Sequence, residues 1–223
     1  MRLEALRAAI VEAGHELERA GLVEGTSGNL SARDPAGGTI AITPGSVAYR
    51  RIHPADVLLV DGDGNVEEGL HQPSSELSLH LAVYRRRPDV GAVVHTHSRW
   101  ATTWAVLGRE IPAVHYVIAS VGYSIRVAPY ATFGTAELAR NVTSTLAADN
   151  AVLLASHGVI AVGADLGAAL ENAVRVEFLA EVYWKASRVG APVVLPPEEI
   201  DRVRAQTAAK RTGGSIPENA RDA

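Results

Sequence analysis

The feature that most constrains this chain is the distribution of its short apolar runs. Residues 39–43, 57–60, 91–95, 151–155 and 159–162 are each four or five residues long. That is strand length, too short for a helix of ordinary size. Asp61-Gly62-Asp63-Gly64 reads as a hairpin turn after the second run. Helical spacing appears elsewhere. Leu3, Leu6, Ile10, Ala13 and Leu17 line one face at the start, with Gly21 as a stop. Pro73-Ser74-Ser75-Glu76 opens a second helix with Leu77, Leu81 and Tyr84 on one face. Residues 99–107 and 135–148 are shorter patterns, and the longest covers 166–188. Residues 25–29 form a loop by composition that leads into 30–33, and 111–127 holds two apolar runs broken by Gly122. Strands crowded centrally, with helices before and after, predict an α+β fold rather than a βαβ array.

At 223 residues the chain suggests one domain. We expect it to span residues 1–200, with 201–223 forming a C-terminal helix, near 198–210, and a frayed tail. The balance of 21 basic against 25 acidic side chains excludes the basic excess that nucleic-acid binding requires. Cysteine is absent, which removes disulfides, thiolate metal sites and cysteine nucleophiles. Lys185 and Lys210 are the only lysines, so Schiff-base chemistry has two candidates. Glu4, Glu12, Glu16 and Glu18 interrupt the first apolar stretch, and no run approaches the ~20 residues of a membrane span. The expectation is a cytoplasmic protein without a membrane or nucleic-acid partner.

Histidines carry the chemistry. His95-Thr96-His97 follows an apolar strand, and an extended backbone sends both rings to one face because the strand period is two. Such a pair binds a divalent ion or simply ends a strand as two satisfied polar residues. His157, in Ser156-His157-Gly158, follows the strand at 151–155 and supplies a third ring. Glu76 adds a carboxylate at a helix start, where the macrodipole favours negative charge. Three histidines and a carboxylate form a zinc-type donor set. Spacing alone does not bring these four together. His15, His53, His71 and His115 have no motif of their own. His80, four residues after Glu76, has metal-binding spacing but is not needed beside that trio.

Taken together, Gly25-Thr26-Ser27-Gly28-Asn29, Pro73-Ser74-Ser75-Glu76, His95-x-His97 and Ser156-His157-Gly158 resemble the class II aldolase/adducin family, above all its L-fuculose-1-phosphate aldolases. The likeness extends through IPAVHYVIAS (111–120) and APYATFGTAEL (128–138) and covers about residues 3–200. The resemblance implies a three-layer α/β/α sandwich around a mainly antiparallel central sheet. It also implies a homotetramer with active sites at subunit interfaces, and one zinc ion per subunit. By residue, it implies His95, His97 and His157 as zinc ligands. Glu76 becomes the acid/base that also ligates zinc when substrate is absent. Tyr116 becomes the tyrosine that reaches a neighbouring subunit's site and handles the aldehyde oxygen's proton. Gly28, Asn29, Ser74 and Ser75 become the phosphate cradle.

The chain departs from the family pattern in two places. Where the aldolases read Thr-Pro-Thr/Ser-Gly, residues 43–46 read Thr-Pro-Gly-Ser, so Ser46 is the remaining hydroxyl for the phosphate. Two C-terminal aromatics of the aldolases fall near Thr207 and Lys210 here. The expected activity is zinc-dependent, reversible cleavage of a ketose 1-phosphate to dihydroxyacetone phosphate and an aldehyde. The alternatives within the family are L-ribulose-5-phosphate 4-epimerase, which carries aspartate where Glu76 stands, and a sugar-acid phosphate decarboxylase. The alternative of another class is a non-catalytic interaction module like the adducin head, which has no need of these ligands.

Overall fold

A computed structural model describes residues 1–211. Helix α1 (Glu4–Arg19) precedes four strands, β1 (Asn29–Arg33), β2 (Ile40–Ile42), β3 (Leu58–Val60) and β4 (Val66–Glu68). Then come α2 (Leu77–Arg86), β5 (Ala92–Thr96), α3 (Arg99–Val106), β6 (Val127–Ala128) and α4 (Ala136–Leu146). The chain closes with β7 (Ala151–Leu154), β8 (Gly158–Gly163), α5 (Leu166–Val189) and α6 (Pro197–Arg211). The predicted C-terminal helix is thus present as α6, whereas the frayed tail lies outside the described residues from 212 onward.

One eight-stranded sheet runs in the order β4-β3-β2-β1-β5-β8-β7-β6. Every pair is antiparallel except β6 with β7, so the sheet is mixed but mainly antiparallel. Helices cover both faces, giving the expected three layers. On one face α2 and α4 pack on Ile40, Ile42, Leu58, Val60, Val93, Ile160 and Val162. On the other, α1 and α5 pack on Leu30, Ala41, Leu59, Val94 and Ala161. Both sets show the alternation of two that strand geometry dictates. Each fully buried Leu, Ile or Val contributes roughly 1.5–3 kcal/mol relative to exposure. No helix among the described residues is long and apolar enough to cross a membrane.

The sequence reading underrates two segments. Residues 30–33 form most of β1, a central strand. Leu30 and Ala32 are buried, but Asn29, Ser31 and Arg33 are polar, so apolarity alone hides the strand. The segment 111–127 is mostly irregular: a bridge joins Ile111 to Ile125, a 3-10 turn covers Tyr116–Ser120, and only Val127–Ala128 joins the sheet.

Candidate active site

The site sits where β1 begins, β5 ends and β8 begins, three neighbours in the antiparallel sheet. Asn29 is paired in register with His95, so the two side chains stand side by side on the α2 face. His95 is completely buried, and its Nδ1 donates to the Val159 carbonyl at 2.8 Å. That bond fixes the ring, because a carbonyl can only accept. His95 Nε2 therefore points into the cleft, 3.0 Å from His97 Nε2 and 3.0 Å from Glu76 Oε2. His97 lies one residue beyond β5 and is exposed. His157 is held by the β7–β8 turn, in which Ser156 takes a left-handed φ of 52°. This uncommon conformation for a non-glycine residue is braced by the Ser156 N–H, which donates to the Ala105 carbonyl at 3.1 Å.

The three ring centroids form a triangle with sides of 4.8, 4.9 and 5.1 Å. Gly158 makes this closeness possible. A Cβ there would lie 2.4 Å from the Thr96 carbonyl oxygen and 2.9 Å from His97 Cδ2. One ligand atom from each histidine falls within 4.8 Å of the others, a cluster that can hold a metal ion.

Glu76 occupies the N-cap position of α2 and is 5% exposed. Its Oε2 accepts from Asn29 Nδ2 at 3.0 Å, and Oε1 lies 3.5 Å from His157 Nε2 with no hydrogen-bond partner in the structure. Burial alone would push this carboxyl up, but His95 beside it, the Asn29 amide and His157 outweigh that and hold it well below the usual carboxylate range. Burial pulls His95 down, and the Glu76 carboxylate more than reverses this. Burial and the charges of His95 and His157 press His97 down to about 4, and burial and His95 also lower His157. With Nδ1–H committed to the Val159 carbonyl, His95 Nε2 faces a carboxylate oxygen, and either a proton or a metal ion can bridge the two. Lone pairs and a carboxylate converging with an unpartnered Oε1 are satisfied together by a cation, so the donor set fits a divalent metal.

Glu76, His97 and His157 form one side of a cavity of about 480 Å³. Its other side is built from three loops: Thr26 to Asn29, Pro44 to Ser46, and Gln72 to Ser75. The second and third are tied by a Pro44–Pro73 bridge and by the Gly45 N–H, which donates to the Gln72 carbonyl at 3.0 Å. Gly28 has φ of 75°, and a Cβ there would lie 2.6 Å from the His95 carbonyl oxygen. Only glycine permits this approach. Among the described residues no lysine or arginine lines the cavity, so an anion there would be held by backbone N–H groups and hydroxyls.

All of the cradle residues expected from the sequence line this cavity, Gly28, Asn29, Ser46, Ser74 and Ser75 included. Ser74 Oγ also accepts the Glu76 N–H at 3.3 Å, and Ser46 is exposed with φ of 60°. Tyr116 is elsewhere. It is 58% exposed, stacks on His115, and lines a second cavity of about 580 Å³ together with Thr207 of α6. Three residues escape the sequence reading. Gln72 and Phe133 line the main cavity, Phe133 being 63% exposed, and His80 is completely buried behind Asn29. Phe133 lies within a segment already similar to the family, but neither its spacing nor that of Gln72 signals a wall position. The other histidines behave structurally. His15 meets the Tyr49 carbonyl, His71 pairs with Asp56, and His115 caps its own 3-10 turn.

Comparison with known proteins agrees with this geometry. The family model for the class II aldolase and adducin N-terminal domain matches residues 8–184. A 5-methylthioribulose-1-phosphate/5-deoxyribulose-1-phosphate aldolase of Rhodospirillum rubrum is 45% identical over 200 residues, 89% of each chain. An L-fuculose phosphate aldolase of Escherichia coli O6:H1 is 44% identical over 202 residues, 90% of this chain and 93% of the relative. A solved L-fuculose 1-phosphate aldolase superposes with a TM-score of 0.89 at 39% identity, covering 92% of this chain and 96% of the other. With its histidine cluster and carboxylate gathered on one cavity, this chain belongs to the class II aldolase and adducin family, among its metal-dependent aldehyde-lyases.

Proposed function

We propose that this aldolase reversibly cleaves a ketose 1-phosphate to dihydroxyacetone phosphate and an aldehyde. The observation that carries the reading is the division of one cavity into two chemistries. One side presents Glu76, His97 and His157, with His95 behind them, and the other presents loops of amides and hydroxyls suited to a phosphate. The relatives' names speak of L-fuculose, methylthioribulose and deoxyribulose phosphates, which share a phosphorylated ketose and differ at the aldehyde end. Neither Lys185 nor Lys210 lines the cavity, and Lys185 pairs with Glu181 on α5, which argues against a Schiff base.

His95, His97 and His157, with Glu76 when no substrate is present, would hold the ion, most simply zinc. When bound, the ion supplies positive charge and Lewis acidity for the oxygen anion that develops beside the breaking bond. Gly28, Asn29, Ser46, Ser74 and Ser75 orient the phosphate, which fixes the reacting carbon near Glu76. In the joining direction the Glu76 carboxylate, held ionised, takes a proton from that carbon of dihydroxyacetone phosphate. The carbon's electron pair then forms the bond to the aldehyde, whose oxygen takes up a proton. Cleavage reverses each transfer. Tyr116 of a neighbouring subunit is assigned that second proton, which makes the working unit an oligomer, in our reading a homotetramer.

The test is a product assay with a panel of ketose 1-phosphates, detecting dihydroxyacetone phosphate and the released aldehyde, together with metal analysis of the purified protein. Cleavage of at least one member, with about one ion per chain, is expected. Failure to cleave any of them by protein that carries its ion would overturn the reading.

A further inference from the structure

Helix α2 and strand β1 meet through two repeats of different period. Glu76, His80 and Tyr84 recur every four residues and share one helix face. Asn29, Ser31 and Arg33 recur every two residues and share one face of the strand. The two rows interlock. Asn29 Nδ2 donates to Glu76 Oε2 at 3.0 Å, and Asn29 Oδ1 lies 2.5 Å from His80 Nε2. Ser31 Oγ lies 2.6 Å from His80 Nδ1 and 2.8 Å from the Tyr84 hydroxyl. Arg33 closes the row over the Tyr84 ring, 4.8 Å from its centroid. His80 and Ser31 are fully buried, and Asn29, Glu76 and Tyr84 nearly so.

Chemistry gives every bond in this chain a direction. An ionised carboxylate only accepts, so the Asn29 amide turns its nitrogen to Glu76 and its oxygen away. That oxygen also only accepts, so His80 Nε2 carries the proton. Burial keeps the ring neutral, pulling its pKa to about 3, and Nδ1 is then a bare acceptor for the Ser31 O–H. The Ser31 oxygen in turn accepts from the Tyr84 hydroxyl. Donation thus runs one way, from Tyr84 through Ser31, His80 and Asn29 to Glu76.

We infer that His80 is a positioning residue, whose Nε2–H locks the Asn29 amide in the orientation that donates to the proton-transferring carboxylate of Glu76. Without that donor the amide is free to rotate, and its oxygen would then face Glu76 Oε2 with no proton between them. The carboxylate then loses a hydrogen-bond donor at a nearly buried position. The inference rests on the reading of Glu76 as the proton acceptor and adds the residue that aims it.

The experiment compares His80→Leu, His80→Gln and Glu76→Gln in the metal-loaded enzyme, with a cleavable ketose 1-phosphate. His80→Leu should lower kcat by ~10–100-fold, the scale seen for residues supporting a ligand or base from behind. Bound metal should change by less than about twofold, the scatter expected of uncoupled sites, and any rise in KM through Asn29 should stay smaller than the fall in kcat. Glutamine places an N–H where His80 Nε2 stands, so His80→Gln should recover most of kcat. Placed in the Glu76→Gln background, His80→Leu should cost less than about twofold more, because the group it aims is gone. On the wild-type enzyme, long-range ¹H–¹⁵N spectra at neutral pH should show His80 as the neutral Nε2–H tautomer. That measurement decides the matter if His80→Leu does not fold. Four results would overturn the inference: an unchanged kcat in His80→Leu, equal loss in the Leu and Gln variants, multiplying losses in the double variant, or an Nε2 that carries no proton. Near-normal turnover in Glu76→Gln would be a different failure, of the proton-acceptor reading itself.

Discussion

The wall behind Glu76 and the exposed aromatic positions Tyr116 and Phe133, on two different cavities, are built on opposite plans. At the wall, six side chains from α2 and β1, Glu76 included, interlock in a largely buried layer where nearly every polar atom has a partner. By contrast, Tyr116 on the second cavity and Phe133 on the main one expose 58% and 63% of their surfaces. The difference separates two demands on an aldolase. Proton transfer at a carbon needs a group held in one geometry, which a single chain supplies from its core. In our reading, recognition of the aldehyde end falls to exposed aromatics, and a second subunit completes that part.

The sharpest way to break this contrast is at the histidines. His97→Ala should remove the bound ion and lower turnover by at least ~10³-fold, the scale of losing a central electrostatic group, while leaving the fold intact. Metal analysis and circular dichroism check this, and full activity in metal-free protein would dismiss the metal role. Glu76→Gln, next in size, keeps shape but not the proton acceptor. Turnover should fall by at least ~10²-fold with the ion retained.

The exposed side of the contrast is probed by Tyr116→Phe, for which a loss of about 10²-fold is expected if the hydroxyl moves a proton. If that hydroxyl serves a neighbour, mixing Tyr116→Phe chains with Glu76→Gln chains should restore activity above either parent. Subunits that demonstrably exchange without any such gain would place Tyr116 in its own chain or in a structural role.

The smallest expected effect concerns acid stability of the buried wall. His80 is neutral in the fold down to about pH 3, whereas an unfolded histidine takes up a proton near 6.5. Between those values the unfolded state binds the extra proton, so stability falls as pH falls. His80 contributes a slope of at most ~1.4 kcal/mol per pH unit there. Denaturant unfolding across that window should be less pH-dependent in His80→Gln than in wild type, and parallel curves would rule out His80 as a source of the slope.

Local pattern carried much of this protein. Periods of two and near four placed α1, α2, α5 and most strands, since burying one face of an element demands that spacing. His95-x-His97 at a strand end, His157 in a tight turn and the Gly28 loop were likewise visible, because backbone geometry and metal chemistry restrict which residues such places accept. What only the tertiary structure decided is who faces whom. β1 went unseen because its polar face is buried against α2, and burial of polar residues leaves no hydrophobic signal. Asn29, which lines the cavity where the phosphate is proposed to sit, also ties its amide to Glu76 and His80, because β1 pairs with β5 in the register that sets it beside His95. His80, set aside as a spare histidine, became the support of that amide. Its meaning depends on partners forty-nine and fifty-one residues away, and no local spacing encodes a contact of that kind.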